Sequence, residues 1–459
     1  MRWFWRAVVL LLLSLASTVK ADGLSERGTI VSYIGPSGSY NSSLLLTPAS
    51  TMKVLTATAA IKSLGADFRF QTVLSVKRGS KGLHLRLQMN GDPSFSSEDL
   101  SALLAALRHD MKQTTVRSIE VIDSAFTGHS RSRGQVWNDI GVCFAAPVTA
   151  LSIDGNCVYG NLKPGRVGQL SSLHVSDSQL LAIDNQIVTV AADTADCQQN
   201  LLVGEHNRYR LTGCMPANAS MMPLRFSIND ERAYFALKLK RSLRAQGFKL
   251  NAEPQFTSGL EAYSQSYIHR SAALIELLTT MLVESDNLYA DSIFKTLAIA
   301  AQRPANYEVA SEVLIGQLEQ LGIDVTRLQI RDGSGLSREN LVSAKALYQV
   351  LQLWQQDPQL QPLISRLAIA GQSGTLRYRH SLTKTPLKGH IHAKSGYVNG
   401  VVNLVGYIEK DGQYSPFVLL TNGVVLTAEE QLALRKRQII HPVLSFERDW
   451  LEQQWQLIK

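Results

Sequence analysis

Apolar residues recur at helical spacing soon after Thr47-Pro48. The stripe consists of Met52, Leu55, Ala59 and Leu64. Threonine is a common N-cap, proline fits the first turn of a helix, and Gly65 is a typical stop. The pattern therefore predicts a helix over residues 48–64, with Ser50 in its first turn.

The pattern changes between Ser75 and about Ser266, where short strand-like runs are separated by Gly and Pro turns. Residues 83–88 and 180–191 alternate or run apolar, as strands do. Residues 230–246 are the one segment of this block with the pattern of a long amphipathic helix. The block therefore predicts a mainly β region inserted into a different architecture.

Helical patterns return at residues 271–284 and 288–301, and Ser285-Asp286-Asn287 lies at their junction. Three strand patterns follow, at residues 390–394, 401–410 and 416–421. Asp411-Gly412 joins the last two as a hairpin turn. Lys394-Ser395-Gly396 is thereby predicted at the end of a strand.

The first 21 residues have the pattern of a secretory signal. Arg2 and Arg6 precede an apolar run over residues 7–16, and Val19-Lys20-Ala21 has small residues at the two positions that signal peptidase recognises. A membrane anchor is the alternative, but the run is short against the roughly 20 apolar residues that span a bilayer. We therefore expect cleavage after Ala21 and export to the periplasm.

The 459 residues exceed the size at which a single core stops growing, so two or more domains are expected. The signal segment carries three cations and no acid, so the formal net charge falls from +8 to +5 on its removal. No basic block remains. This balance argues against nucleic acid as a partner and leaves an anionic polymer surface open.

The four cysteines fall into two short-range pairs, Cys143 with Cys157 and Cys197 with Cys214. In an exported protein two disulfides are the natural interpretation, although four cysteines allow three pairings and buried free thiols are an alternative. No histidine lies at ligand spacing beside them, which disfavours zinc, and no metal site or cofactor is expected.

Ser50 and Lys53 form a Ser-x-x-Lys motif in the first predicted helix. A serine hydroxyl needs an adjacent base, which a desolvated lysine of lowered pKa can supply. Positions i and i+3 share a helix face, with Cβ atoms about 5 to 6 Å apart. The same spacing occurs at Ser17, Ser292 and Ser381, where a solvated helix face is the ordinary explanation, so the capping context singles out Ser50.

Two further motifs offer groups that complement this pair. Ser285 and Asn287 present a hydroxyl that can relay a proton and an amide that can hold a substrate, with a helix cap as the alternative. Lys394 and Ser395 present a cation and a hydroxyl suited to a carboxylate, and Gly396 lets another backbone approach. An ordinary strand end is the alternative there.

The three motifs, in this order, resemble those of the penicillin-recognising serine enzymes, whose signatures are Ser-x-x-Lys, Ser-Asp-Asn and Lys-Thr-Gly. Ser285 follows Ser50 by 235 positions. This spacing is similar to low-molecular-mass penicillin-binding proteins of the penicillin-binding protein 4 type, which are D-alanyl-D-alanine carboxypeptidases and endopeptidases. Further segments that resemble this group are residues 47–53, 91–93, 137–139, 285–288, 332–338, 374–376, 392–396 and 406–407. Tyr397-Val398 departs from it, because the group usually has Thr-Leu there.

The resemblance implies an acyl-enzyme mechanism on a D-Ala-D-X bond. Ser50 is then the nucleophile, Lys53 the base, and Ser285 the residue that passes the proton to the leaving amine. Asn287 positions the substrate.

The resemblance also implies the groups that bind the substrate. Lys394 and Ser395 bind its terminal carboxylate, and the backbone N–H groups of Ser50 and Tyr397 hold the oxyanion. Asp154 resembles an acidic residue at the mouth of the active site, where it would meet the amine of a diamino acid in the stem peptide.

The implied fold is α+β: a β-lactamase/transpeptidase-like domain in which helices flank an antiparallel sheet, with inserted mainly β accessory domains. The catalytic domain would comprise residues 22–76 and 264–459. Residues 77–263 would form two small domains, with about 91–162 nested within the other. Peptidoglycan peptides are the expected partners, and β-lactam antibiotics the expected inhibitors.

At most a peripheral membrane contact is expected. Residues 443–457, with Trp450, Leu451 and Trp455, predict either a terminal helix packed on the core or an amphipathic anchor.

Two other functions share the motifs. A β-lactamase or related serine esterase needs fast deacylation, and the sequence identifies no dedicated base for that step. A non-enzymatic cell-wall-binding protein on the same fold would ordinarily have lost one of the three motifs.

Overall fold

The computed structural model describes residues 23–194, 197–258, 263 and 265–458. The predicted signal segment, residues 1–21, lies outside the described residues. Across the described ranges, no helix combines the length and the apolar character that crossing a membrane requires.

The longer α-helices are distributed along the whole described chain. They are α1 Met52–Leu64, α2 Ser97–Asp110, α3 Glu231–Ala245, α4 Leu274–Val283, α5 Asn287–Ala300, α6 Tyr307–Gln320, α7 Ala344–Gln356, α8 Ala428–Arg435 and α9 Pro442–Leu457.

The strands lie near the N-terminus, in the middle of the chain and near its C-terminus. They are β1 Ile30–Gly35, β2 Gly38–Tyr40, β3 Leu45–Leu46, β4 Gln71–Gly79, β5 Gly82–Gln88, β6 Thr115–Ile122, β7 Cys157–Lys163, β8 Ser172–Val175, β9 Ala182–Val190, β10 Gln199–Val203, β11 Arg208–Pro216, β12 Met222–Ser227, β13 Lys249–Leu250, β14 Pro254–Thr257, β15 Gln265–Arg270, β16 Val342–Ser343, β17 Ala368–Ile369, β18 Ile391–Val398, β19 Val401–Lys410 and β20 Gln413–Asn422.

The chain divides into two units. Among the described residues, the first comprises 23–66, 278–286 and 311–458. Its main sheet has the strand order β17-β18-β19-β20-β1-β2 and is antiparallel throughout.

Helices pack on both faces of this sheet. Side chains alternate along each strand, so neighbouring residues of β19 contact different helices. Leu404 and Ile408 of β19 join the apolar cluster that contains Trp450 of α9. The intervening Tyr407 points to the other face, where its hydroxyl donates to the carbonyl of Leu351 in α7. This is the predicted α+β arrangement.

The C-terminal helix α9 packs on the core of the first unit. Val443, Trp450 and Leu451 are buried, and the Trp450 ring lies 5.3 Å from that of Tyr33. Of the two alternatives for residues 443–457, the core-packed helix is therefore the one the fold contains.

The second unit comprises Asp67–Leu277 and Asn287–Ala310. Its largest sheet has the order β13-β6-β5-β4-β15, with β14 also paired to β6. Two three-stranded sheets accompany it, β10-β11-β9 and β12-β7-β8. The nesting of residues 91–162 within the accessory region stays a prediction.

Several predicted elements are confirmed. Helices α3, α4 and α5 lie where the apolar periodicity places them, and β19 and β20 form the expected hairpin. Both residues of its turn, Asp411 and Gly412, have the positive φ angles that a tight hairpin turn requires.

Three local predictions were wrong. The first turn begins at Ala49, with Pro48 and not Thr47 as its cap and with no side-chain cap hydrogen bond. Lys394-Ser395-Gly396 lies inside β18, because pairing with β19 continues to Val398. Helix α2 was not predicted, although Ser96 and Asp99 form a capping box at its start.

Both disulfides have the predicted connectivity. Cys143 is bonded to Cys157 and Cys197 to Cys214, and the Cα atoms of each pair are 5.4 Å apart. Among the described residues, no group of three or more His, Cys, Asp or Glu side chains could hold a metal ion.

Candidate active site

Ser50 and Lys53 meet at the start of α1. Residues Ala49–Thr51 form a 3₁₀ turn that runs directly into the helix, so both side chains project from the same face. The Nζ atom of Lys53 lies 3.1 Å from the Oγ atom of Ser50. Lys53 is fully buried whereas Ser50 is only partly so. A buried amine thus contacts a hydroxyl that a ligand can reach.

The backbone in front of Ser50 is strained and tightly held. Ala49 has φ +48°, a conformation that costs a non-glycine residue free energy and that persists only where neighbours enforce it. The amide of Asn403 in β19 donates to the carbonyls of Thr47 and Pro48, at 3.0 and 2.9 Å. A Cβ atom on Gly396 would lie 2.6 Å from the Pro48 carbonyl oxygen, so only glycine allows this approach.

The loop over residues 332–338 holds Lys53 from the other side. Lys53 Nζ donates to the carbonyl of Ser334 at 2.7 Å, and Thr56 Oγ1 donates to that of Gly333 at 2.7 Å. The carboxylate of Asp332 accepts from the backbone N–H groups of Gly335 and Ser337 at 2.8 and 2.7 Å. The loop therefore presents a fixed carbonyl to the base.

The sequence does not predict this role. Residues 332–338 stand out there only as part of the resemblance, because the group that binds Lys53 is a backbone carbonyl and carries no residue signature. The signal that could have found it is the dense run of Asp, Gly and Ser, which commonly folds into a loop closed on its own backbone.

Gly335 offers a test of this loop. A Cβ atom there would lie 1.9 Å from the carbonyl oxygen of Ala49, beside the nucleophile, and φ is +85°. We expect Gly335→Ala to displace the turn that carries Ser50 and to lower the rate of acylation by penicillin about 100-fold. Stopped-flow or intact-mass kinetics would measure it.

Gly316→Ala in α6 is the matched control, because nothing lies within 4 Å of its added Cβ. Alanine there should leave acylation unchanged and raise stability by about 0.5 to 1 kcal/mol. Normal acylation by Gly335→Ala would show that the loop does not set the position of Ser50.

Lys394 and Ser285 form a second serine–lysine pair in the first unit. Lys394 Nζ donates to Ser285 Oγ at 2.8 Å and to the carbonyl of Ser395 at 2.9 Å. Ser285 follows α4 with φ +62°, which turns its side chain out of the helical path. Burial, with the positive charges of Lys53 and Arg379, lowers the pKa of Lys394 well below its usual value.

The C-terminal half of β18 supplies the remaining groups of the third motif. The hydroxyls of Ser395 and Thr375 lie 2.7 Å apart, and Ser395 is largely buried. Tyr397 is 71% exposed, and its contribution to the predicted oxyanion site would come from its backbone N–H.

Asn287 and Asp154 belong to the second unit. Asn287 is the first residue of α5, and its Nδ2 atom donates to the carbonyl of Phe144 at 2.8 Å. Asp154 accepts from Lys238 Nζ at 2.5 Å and from the backbone N–H of Ser97 at 2.8 Å. Burial opposes ionisation, but these hydrogen bonds outweigh it and lower the pKa of Asp154. Its contact with a substrate amine stays a prediction.

The first unit therefore has the features of a serine hydrolase whose general base is a lysine: a buried amine on a partly exposed hydroxyl, and a second lysine paired with a second serine. An antiparallel sheet covered by helices on both faces carries them. This combination defines the β-lactamase and transpeptidase class of serine enzymes.

Comparisons with known proteins agree with that class. Residues 35–441 match the model of the D-Ala-D-Ala carboxypeptidase 3 (S13) family. The chain belongs to that family. D-alanyl-D-alanine carboxypeptidase DacB of Haemophilus influenzae is 31% identical over 418 residues, which cover 89% of this chain and 86% of that protein. The D-alanyl-D-alanine carboxypeptidase of an Actinomadura species is 28% identical and covers 85% and 76%.

Solved structures of relatives have the same fold. The crystal structure of penicillin binding protein 4 from Haemophilus influenzae superposes with a TM-score of 0.83 at 30% identity, over 93% of this chain and 96% of that one. The same protein complexed with a β-lactam gives a TM-score of 0.79 at 28% identity, over 93% and 95%. The predicted fold class is confirmed.

Proposed function

We propose that the protein is a serine D-Ala-D-Ala carboxypeptidase and endopeptidase that cleaves peptidoglycan stem peptides and cross-links through an acyl-enzyme. The observation that carries the proposal is the contact of 3.1 Å between Lys53 Nζ and Ser50 Oγ. Membership of the S13 family, 31% identity to a carboxypeptidase and a relative that binds a β-lactam support it.

The proposed reaction has two steps. Ser50 Oγ attacks the carbonyl carbon of the penultimate D-Ala while its proton passes to Lys53. The backbone N–H groups of Ser50 and Tyr397 stabilise the oxyanion. Ser285 relays a proton to the leaving amine as the C–N bond breaks. Water then attacks the ester, releases the shortened peptide and returns the proton to Ser50.

The remaining motif residues bind the substrate. Asn287 positions its amide, and Lys394 with Ser395 binds its terminal carboxylate. Gly396 permits the close approach of β18 to the turn before Ser50, and Asp154 meets a diamino acid at the mouth of the site. The donors of Lys394 already point toward Ser285, which supports a shared role at the leaving group.

The proposed location is the periplasm, where the protein would arrive by removal of residues 1–21. Two disulfides among the described residues support an oxidising compartment. Residues 22–76 and 264–459 are proposed as the catalytic domain.

Incubation of the purified protein with linear and cross-linked muropeptides, followed by mass analysis, tests the function. Loss of a terminal D-Ala, or conversion of dimers to monomers, is the expected result. Intact muropeptides together with rapid turnover of a chromogenic cephalosporin would identify a β-lactamase. Binding to intact cell walls without any cleavage would identify a wall-binding protein.

The lowered pKa of Lys394 predicts a pH dependence for carboxylate recognition. As the pH rises through that pKa, Lys394 loses its charge and with it the attraction for a carboxylate. Penicillin carries this carboxylate, whereas its methyl ester does not. We therefore expect the ratio of the two acylation rates to fall as the pH rises, because the direct effect of Lys53 titration on the nucleophile is common to both compounds and divides out.

Lys394→Arg is the control, since a guanidinium keeps its charge over this range. Its ratio should be flat with pH. A flat ratio in the unmodified protein would instead show that Lys394 does not recognise the carboxylate as a cation.

A further inference from the structure

Lys295 lies in the middle of α5 and is 1% exposed. Its Nζ atom donates to the carbonyls of His129 and Val148, at 2.8 and 3.2 Å. The ring of Tyr307 lies 4.5 Å from the same atom, within the range of a cation–π contact. A lysine this deeply buried, outside the three motifs, requires an explanation.

The sequence around Lys295 repeats the Ser-x-x-Lys spacing, but it does not repeat the chemistry. Ser292 is fully buried, and its Oγ atom has no hydrogen-bond partner within the described residues. A substrate carbonyl cannot reach that hydroxyl. The amine of Lys295 is instead directed at two backbone carbonyls.

Those carbonyls bracket the segment over residues 129–148, which contains the partner of Asn287. Arg131 Nε donates to the carbonyl of Ala145 at 3.1 Å inside the segment. Asn287 Nδ2 donates to the carbonyl of the preceding residue, Phe144, at 2.8 Å. Asn287 and Lys295, both on α5, thus donate hydrogen bonds to the same segment.

We propose that Lys295 is a positioning residue that holds both ends of segment 129–148 against α5 and so fixes the carbonyl that orients the Asn287 amide. The inference rests on the proposed function, in which Asn287 positions the substrate. Removal of the amine would leave the buried carbonyl of Val148 and the partly buried carbonyl of His129 without this donor, at a cost that favours opening of the segment.

The charges around Lys295 give this contact a pH dependence. Burial lowers the pKa of Lys295 to about 8, against the opposing effect of Asp291 on its own helix, Glu308 on α6 and Glu231 on α3. The segment itself carries three other basic side chains, His129, Arg131 and Arg133, and one acid, Asp139, all of which are retained in the Lys295→Arg comparison.

The direction of this pH dependence follows from proton linkage. Above about pH 8 the closed segment holds a neutral amine, while an opened segment would expose Lys295 to water, where it binds a proton up to its usual pKa. The opened state then binds more protons, so opening becomes harder as the pH rises. For a single proton the effect approaches tenfold between about pH 7 and pH 9.

Hydrogen exchange of the amides in segment 129–148, corrected for intrinsic rates, tests whether Lys295 keeps the segment closed. The protection factor of the unmodified protein should rise about tenfold between pH 7 and pH 9. Lys295→Arg, always charged, should show no such rise, and Lys295→Met should show lower protection at both pH values. A flat profile in the unmodified protein, or an equal rise in Lys295→Arg, would overturn the inference.

Acylation by penicillin at pH 7 tests whether the contacts of Lys295 also affect the function of Asn287. We expect Lys295→Met to slow acylation about tenfold and Lys295→Arg to restore most of the rate. Lys81→Met, at an exposed turn of the same unit, is the control and should change neither readout. Unchanged acylation by Lys295→Met, despite weaker protection, would overturn the link to Asn287. Absence of acylation in the unmodified protein would instead refute the proposed function. Hydrogen exchange would still show whether Lys295 keeps the segment closed.

Discussion

Ser50→Ala should abolish the covalent adduct that penicillin forms with this protein. The unmodified protein is expected to gain one penicillin in mass, because the hydroxyl of Ser50 lies 3.1 Å from the buried amine of Lys53. Alanine removes the attacking oxygen and leaves no substitute at that point. Loss of the nucleophile should reduce acylation by at least about 10⁴-fold, which intact-mass spectrometry over hours would detect.

Ser292→Ala is the matched control, because it removes the hydroxyl of another Ser-x-x-Lys spacing. The Ser292 hydroxyl is buried without a partner in the described residues, so its loss should leave the fold intact or slightly stabilised. This variant should acylate normally. If the adduct survives in Ser50→Ala, or disappears only in Ser292→Ala, then Ser50 is not the nucleophile.

The elements that could be predicted from sequence are those with strong local signals. Periodicity placed α3, α4 and α5, and the turn residues Asp411-Gly412 placed the hairpin of β19 and β20. Helix α2 was missed in a block interpreted as mainly β, because its neighbours are short strands. Its capping box at Ser96 is the local signal that could have predicted it.

The candidate site was predictable only in part, for a physical reason. Side chains at i and i+3 on one helix meet whatever the tertiary fold, so Ser50 and Lys53 could be paired from spacing. The carbonyl of Ser334, which accepts from Lys53, lies 281 positions away and belongs to the backbone. The positive φ of Ala49 is imposed by packing around Pro48 and likewise has no residue signature.

The two lysines of the site should respond differently to arginine. Lys53, as the base, must be neutral when Ser50 attacks, and a guanidinium cannot lose its proton at usable pH. Lys53→Arg should therefore abolish acylation although charge is retained. Lys394 is proposed to act as a cation, and arginine keeps both the charge and the donors that now contact Ser285 and Ser395. Lys394→Arg should lose roughly 10- to 100-fold, about 1.4 to 2.7 kcal/mol of transition-state binding.

The measurement is the acylation rate constant of each variant, with a thermal melt to verify folding. Both lysines are fully buried, so poor accommodation of a larger side chain would affect both melts, whereas the difference in acylation reports on protonation. Lys53→Met separates the two effects further: it removes the amine without adding bulk, and it should be as inactive as Lys53→Arg. Equal damage at both positions among folded variants, or the milder defect at Lys53, would mean that Lys394 and not Lys53 takes the proton from Ser50.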